Sequence, residues 1–214
     1  MFLSILSTLF LGSIIGSIVS LSVYCFLYLI SKFTSFFRNE SFLSYFSDQP
    51  FIFFCIIILV PTIIGFLVGY LRSFTKDKRW HGPPDVILST HTEQNPLSIK
   101  TGFLTSFAAI LSISAGGSVG QYGPLVHFGA TIGAEIKKYF KKTLNTQIFL
   151  GAGVAAAISS GFGAPIAGLV FAREVILRHQ SLASFGPILV SSLVSYFITK
   201  LFFGFTPILP RSIG

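Results

Sequence analysis

The chain has 214 residues, of which 52% are hydrophobic and only 10% are charged, and its formal net charge is +8. Soluble domains carry about a quarter charged residues, so this composition excludes an ordinary soluble protein and predicts an integral membrane protein. The positive charge does not indicate nucleic acid binding, because the basic residues form short clusters between apolar runs and no extended basic face.

Two long apolar runs begin the chain and predict membrane helices. Residues 1–31 have no basic n-region and are too long for the core of a signal peptide, so we predict a retained membrane helix. Residues 49–71 predict a second span, with a kink at Pro61. A polar turn over residues 32–48 separates them.

Small residues within these runs indicate packing faces. Pairs of glycines four residues apart allow helices to approach closely, and they occur at Gly12, Gly16, Gly65 and Gly69. Cys25 and Cys55 lie in the same runs, so we expect them to be buried as small hydrophobic residues.

Basic clusters at residues 72–79 and 135–142 predict the orientation, since an excess of Lys and Arg in a short loop marks the cytoplasmic side. We therefore expect a cytoplasmic N-terminus, an external first loop and a multi-pass protein of the plasma (inner) membrane. The segment between the clusters must cross an even number of times or re-enter. It contains a polar loop at residues 91–96.

The stretch AGGSVGQYGPLVHFGA, residues 115–130, lies inside an uncharged run that is long enough to cross a bilayer. Its five glycines and Pro124 disfavour an uninterrupted helix, so we predict a break at membrane depth and a restart at Pro124. The restarted helix would point unpaired N–H groups and its positive dipole end at a cavity, which is a site for an anion. A kinked helix with glycines for close packing is an equally supported alternative.

Two other segments also suggest broken helices. The sequence HGPPD, residues 81–85, could open a helix inside the protein, although taken alone it favours an ordinary cytoplasmic turn. Residues 151–168 are rich in Gly, Ala and Ser and predict two tightly packed short helices, the second restarting near Ala164 and Pro165. Residues 179–199 predict a last crossing, followed by the Gly- and Pro-rich tail GFTPILP.

These motifs resemble the CLC family of chloride channels and proton-coupled anion transporters. GGSVGQYGPLVHFGATIG, residues 116–133, looks like the family signature Gly-x-Ser-x-Gly-(Lys/Arg)-Glu-Gly-Pro-x-Val-His-x-Gly, and residues 152–175 resemble the next two helices. The order and spacing fit the amino-terminal half of that fold. The resemblance implies an all-α, polytopic membrane protein with broken and re-entrant helices, half of a CLC-type inverted repeat, forming a single transmembrane domain over residues 1–214.

The resemblance also implies chloride or similar anion transport, because helix N-termini in this family meet around anions near the midplane. Carried over to this chain, the anion pathway would comprise Gly120, Gln121, Tyr122, Gly123, Pro124, His81, Gly82 and Pro84. The match at residues 81–84 is weaker, since only Gly82 and Pro84 agree with the family's Gly-Ser-Gly-Ile-Pro.

Three departures from the family pattern affect the predicted mechanism. Tyr122 replaces the gating glutamate, His81 replaces the anion-coordinating serine, and Val175 falls where transporters carry a proton-handling glutamate, one residue after Glu174. They imply a channel-like flux that is not coupled to protons. Arg173 and Glu174 should lie near the inner mouth, exposed or paired.

Other interpretations remain open at this stage. The chain ends at Gly214, so we expect a homo-oligomer or a complementary carboxy-terminal half as partner, or else a non-conducting truncated or split-gene half, or an assembly subunit. A packed aromatic role for Tyr122 and a structural role for His127, bonded to nearby backbone, are the simpler alternatives. We expect no cofactor, no resident metal and no enzymatic activity; the remote alternative is a membrane metalloenzyme using His81, Asp85, His91, Glu93 and His127.

Overall fold

The computed structural model describes residues 2–37, 50–75, 77–92, 97–140, 145–178 and 182–204. All regular secondary structure in these ranges is helical, which confirms the all-α prediction. The helices are α1 (Phe2–Phe37), α2 (Pro50–Arg72), α3 (Pro83–His91), α4 (Ile99–Ser114), α5 (Tyr122–Tyr139), α6 (Thr146–Phe162), α7 (Pro165–Phe171) and α8 (Leu182–Phe202). The last turn of α7 continues into a π-helix, Ala172–Leu177.

Within the described ranges, three helical segments are long and apolar enough to cross a membrane, Thr8–Phe37, Phe54–Arg72 and Ser184–Phe202. The helix α1 extends past the predicted end, so Lys32 lies within it and not in a polar turn; its ammonium sits 5.5 Å from the Tyr28 ring centroid. Four predicted features lie outside the described residues, namely the loop at 38–48, the polar positions 93–96, the lysines at 141–142 and the tail at 205–210.

The centre of the structure is α6, whose small side chains bring it into backbone contact with α5. A Cβ added at Gly153 would collide with the carbonyl oxygen of Gly129, and one added at Gly133 would collide with that of Phe149. Such contact requires a glycine on at least one side, because any larger residue would place its Cβ against the facing backbone. The predicted close packing of the small-residue segment is therefore confirmed, and it places α5 directly against the most buried helix.

Serine hydroxyls join α6 to α8 where both helices are buried. Ser191 and Ser195 of α8 donate to the carbonyl oxygens of Ala152 and Ala156 at 3.0 and 2.8 Å. In return, the Ser159 hydroxyl donates to the carbonyl of Ser192 at 2.6 Å. Hydrogen bonds between helices stabilise packing where lipid supplies no hydrophobic driving force.

The two predicted glycine pairs have different surroundings. Cβ atoms at Gly12 and Gly16 would fall against the backbone of α8, 2.7 Å from the Pro187 oxygen and 2.6 Å from the Ser191 oxygen, so this packing face is confirmed. Gly65 and Gly69 have open space beside them. The spacing alone therefore does not decide which pair packs.

The prediction that Cys25 and Cys55 are buried is wrong, because both lie on exposed helix faces. Each is a small apolar residue on an apolar helix. Lipid tails are as apolar as a protein interior, so such a residue is stable on either side of a membrane helix. Hydrophobicity could not distinguish the two locations.

The predicted break between two helices is present, and the kinked-helix alternative is wrong. The helix α4 ends at Ser114, a left-handed turn follows at Gly116 with φ of 94°, and α5 begins at Tyr122. The restart lies slightly before the predicted Pro124, which occupies the first turn, where its missing N–H removes no helical hydrogen bond.

The segment at residues 81–85 also opens a helix, although alone it favoured a turn. The helix α3 begins at Pro83, with Gly82 as its N-terminal cap. Likewise, α6 ends at Gly163, whose φ is 64°, and α7 restarts at Pro165 as predicted. The helices α3, α5 and α7 therefore each begin at or near a proline.

The orientation predicted from the basic clusters can be tested by cysteine labelling. Single cysteines at Lys78 and Lys138 should react with an impermeant reagent only from the cytoplasmic side, because Lys and Arg excess marks that side. One at Asn39, outside the described residues, should react only from outside. The exposed Cys25 and Cys55 must first be replaced by alanine. External labelling at Lys138 would reverse the orientation.

Candidate anion site

The first turns of α3 and α5 meet. A Cβ added at Gly123 would lie 3.7 Å from Cδ of Pro83, which is ordinary van der Waals contact. The first turn of α5 carries backbone N–H groups without intrahelical partners and a partial positive charge. The first turn of α3 contributes its helix dipole only, because Pro83 and Pro84 have no N–H and the Gly82 N–H is bonded to Asp85. The predicted residues Gly82 and Pro84 and those of residues 120–124 thus come together at one junction with a positive electrostatic character.

An ion pair holds the start of α3 in place. The Asp85 carboxylate accepts hydrogen bonds from the Gly82 N–H at 2.8 Å and from the Arg79 guanidinium. Burial opposes ionisation of Asp85, but these two hydrogen bonds outweigh it and lower the pKa of Asp85. The same hydrogen bond raises the pKa of Arg79. Asp85 therefore stays ionised, and its charge is balanced by Arg79. The helix that carries it has nine residues and is too short to span a membrane.

Two histidines next to this junction, His81 and His127, have their rings in an edge-to-face arrangement. The His81 side chain is only 12% exposed, with Nδ1 3.8 Å from Oδ1 of Asp85 and Nε2 3.5 Å from Oδ2 of Asp77. Its ring centroid is 5.7 Å from that of His127, which is 1% exposed. Neither ring nitrogen of His127 has a hydrogen-bond partner in the described ranges, so the expected bond to nearby backbone is not found.

Tyr122 lies at the outer edge of the junction. Its side chain is 59% exposed, and its ring stacks on Phe162 with centroids 4.2 Å apart and an angle of 11°. The stack ties the first residue of α5 to the last residue of α6. Tyr122 is thus positioned by an aromatic contact while most of its surface remains open.

Val175 is remote from this junction. It lies in the π-helix, which contacts the far end of α3, since the Thr90 hydroxyl donates to the Ile176 carbonyl at 3.1 Å. Thr90 is roughly 10 Å along the helix axis from Pro83. Glu174 is exposed, as expected, whereas Arg173 is half-buried with its guanidinium 5.1 Å from the Phe185 ring centroid.

The residues named for a metalloenzyme do not form a metal site. Among the residues with described positions, no group of three or more His, Cys, Asp or Glu side chains could hold a metal ion. His91 ends α3 at the opposite end from His81, and Glu93 lies outside the described residues. The geometry therefore gives the metalloenzyme alternative no support.

Sequence reasoning missed a cavity of about 220 Å³ that adjoins the junction. It lies between α2, α4 and the start of α5. Its lining combines predicted site residues with others that no motif marked, and includes Trp80, His81, Thr105, Ser112, Gly120 and Pro124. The only signal for Thr105 and Ser112 was their polarity within an uncharged membrane run.

Comparison with known proteins identifies the family. The model of the voltage-gated chloride channel family matches residues 62–213. This chain belongs to the voltage-gated chloride channel (CLC) family. A ClcB-like chloride channel protein of Ralstonia nicotianae is 29% identical over 156 residues, covering 69% of this chain and 36% of that protein. The voltage-gated ClC-type chloride channel ClcB of Shigella flexneri is 26% identical over 148 residues, covering 67% and 35%.

Solved CLC structures share the fold. A slow cyanobacterial Cl⁻/H⁺ antiporter superposes with a TM-score of 0.78 at 21% identity, covering 95% of this chain and 48% of its own. A CLC-type fluoride/proton antiporter gives 0.72 at 23% identity, covering 100% and 52%. This chain thus spans about half the length of these structures and about a third of the curated relatives. The prediction of a half-length CLC-type fold is confirmed.

Proposed function

We propose that this chain forms one side of a membrane pathway for chloride or a similar anion. The observation that carries the proposal is the meeting of the α3 and α5 N-termini at Gly123 and Pro83, with His81 beside them. The unpaired N–H groups at the start of α5 and the dipoles of the two helices stabilise an anion that has lost part of its hydration shell. The anion-facing residues are those of the junction, His81, Gly82, Pro84, Gly120, Gln121, Tyr122, Gly123 and Pro124.

The proposed flux is channel-like and not coupled to protons. Tyr122 occupies the gate position, and a phenol offers a neutral hydroxyl where the family pattern has a carboxylate. Val175 occupies the proton-relay position with a side chain that carries no proton. Glu174, the next residue, is exposed, and the π-helix that carries it contacts the far end of α3. Glu174 is therefore too far from the junction to pass a proton to it.

Residues 1–214 act in this proposal as a single transmembrane domain of the plasma (inner) membrane with a cytoplasmic N-terminus. The domain works as a homo-oligomer or with a complementary carboxy-terminal half. Support comes from exposed apolar surface on α2, of which 6% of the span is buried, and on α7 at Ile166 and Val170. Open helix ends at membrane depth also need protein or water around them.

Reconstitution tests transport and assembly together. Chain purified in mild detergent should elute as an oligomer, or as a complex when co-expressed with a complementary half, and should release chloride from loaded liposomes. Release should exceed that of protein-free liposomes and of a Gly123→Val variant, whose side chain would fill the junction. Chloride release by a monodisperse monomer would contradict the assembly proposal.

A second candidate function is a non-conducting assembly subunit. The exposure of Tyr122 favours it, because a gate residue that is 59% exposed closes no passage on its own. An oligomer or complex that forms stably but releases no more chloride than protein-free liposomes would support this candidate and contradict the transport proposal.

A further inference from the structure

The cavity beside the junction contains a buried hydroxyl group with no partner. Thr105 lines the cavity, is 5% exposed, and its Oγ1 makes no hydrogen bond to any part of the chain that the structure describes. Leaving a buried hydroxyl unsatisfied is destabilising, because its hydrogen bonds to water are lost without replacement. Two neighbouring hydroxyls do have hydrogen-bond partners. Ser106 donates to the Gly102 carbonyl at 2.9 Å, and Thr131 donates to the His127 carbonyl at 2.7 Å.

A second polar atom of the same lining is also unsatisfied. Nε2 of His81 is buried and has no hydrogen-bond partner within the described ranges; its nearest acidic neighbour, Asp77, is at 3.5 Å. Two buried polar groups from separate elements, α4 and the segment before α3, thus border one space. Such a pair indicates a bound polar species between them.

The charges around the cavity favour an anion. The cavity lining includes no carboxylate. Of the two acids near His81, Asp85 is neutralised by Arg79, and Asp77, 3.5 Å from Nε2 of His81, has a side chain that is 43% exposed to solvent screening. Gly120 and Pro124 bring the positive end of α5 to the cavity wall. The hydroxyl of Thr105 and a ring N–H of His81 can both donate to an anion. A volume of about 220 Å³ corresponds to roughly seven waters at about 30 Å³ each, enough for an anion with part of its hydration shell.

We propose that Thr105 is a further anion-contacting residue, and that the cavity between Thr105 and His81 is a side site where a partly hydrated halide binds next to the α3–α5 junction. The inference rests on the proposed function, because it names an additional binding position on the same pathway. In this arrangement Thr105 supplies a neutral donor, while apolar walls such as Val68 keep the site small.

Trp80 provides an intrinsic probe, because it lines the cavity and is the single tryptophan of the chain. Bromide, a heavy-atom quencher, is titrated into the full chain in halide-free lipid nanodiscs. Quenching should be saturable. Thr105→Val, which keeps the shape and removes the hydroxyl, should weaken the apparent bromide affinity at least about 10-fold, because it removes one hydrogen bond to a charged group. Thr105→Ser should stay within about twofold of wild type.

Thr131→Val is the matched control, since it removes an equally buried threonine hydroxyl that already bonds its own helix. Its bromide affinity should equal that of wild type. Chloride competition in the wild type needs no variant and should abolish the saturable component. Purely linear quenching in wild type, no competition by chloride, or equal affinity of Thr105→Val and wild type would overturn the inference.

Chloride release from liposomes, measured on the same preparations, keeps this inference separate from the proposed function. Release with linear quenching refutes the side site and leaves the transport proposal standing. Saturable, Thr105-dependent quenching without release supports the halide site and contradicts transport. Failure of the halide side site and failure of the proposed transport therefore give different combinations of quenching and release.

Discussion

A Gly153→Ala substitution is expected to destabilise the folded state of this chain by several kcal/mol. The added Cβ would overlap the carbonyl oxygen of Gly129 and lie 2.9 Å from its carbonyl carbon, and both atoms belong to the backbone of a buried helix. Neither can rotate away. Overpacking a well-packed core costs about 1–3 kcal/mol and more where backbone must move, against a total stability of about 5–15 kcal/mol.

The measurement is the yield of monodisperse protein and its unfolding transition in mixed micelles. Gly65→Ala is the matched control, because it makes the same change within a membrane helix where the added Cβ meets open space. It should leave both quantities within about 0.5 kcal/mol of wild type, since alanine is at least as good a helix former. Equal stability of the two variants would show that α5 and α6 are not in backbone contact.

Chloride movement through this protein is expected to be independent of a proton gradient. Liposomes with equal chloride inside and outside and an imposed pH gradient should show no sustained uphill chloride movement. Proton coupling in the family needs a carboxylate that competes with the anion and leaves on protonation, and Tyr122 offers only a neutral hydroxyl. Val175 cannot relay a proton. Sustained proton-driven chloride accumulation would reject the uncoupled mechanism.

A Tyr122→Glu substitution tests whether the gate position is assigned correctly. It should restore some proton-driven chloride movement, and Tyr122→Glu combined with Val175→Glu should restore more, because the double variant supplies both the gate and the relay. Tyr122→Phe is the control; it keeps the stack on Phe162 and should remain uncoupled. If proton-driven movement is absent in the double variant while passive chloride release persists, the assignment of Tyr122 is wrong.

The sequence by itself determined two of the places where the chain breaks and restarts a helix. Glycines disfavour helix interiors and proline suits a first turn, so the break between α4 and α5 and the restart at Pro165 followed from residue types. The small-residue segment of α6 likewise predicted tight packing, because small side chains are the usual means of bringing membrane helices together. These features are local, and the family resemblance depended on the same motifs.

Only the tertiary structure decided what each helix face contacts. Gly12 and Gly16 pack on α8 while Gly65 and Gly69, with identical spacing, face open space. Cys25 and Cys55 are exposed although their surroundings in sequence are apolar. The halide side site proposed at Thr105 depends on three elements meeting at one cavity, which no motif encodes. The physical reason is that lipid is as apolar as a protein core, so hydrophobic periodicity does not mark the buried side of a membrane helix.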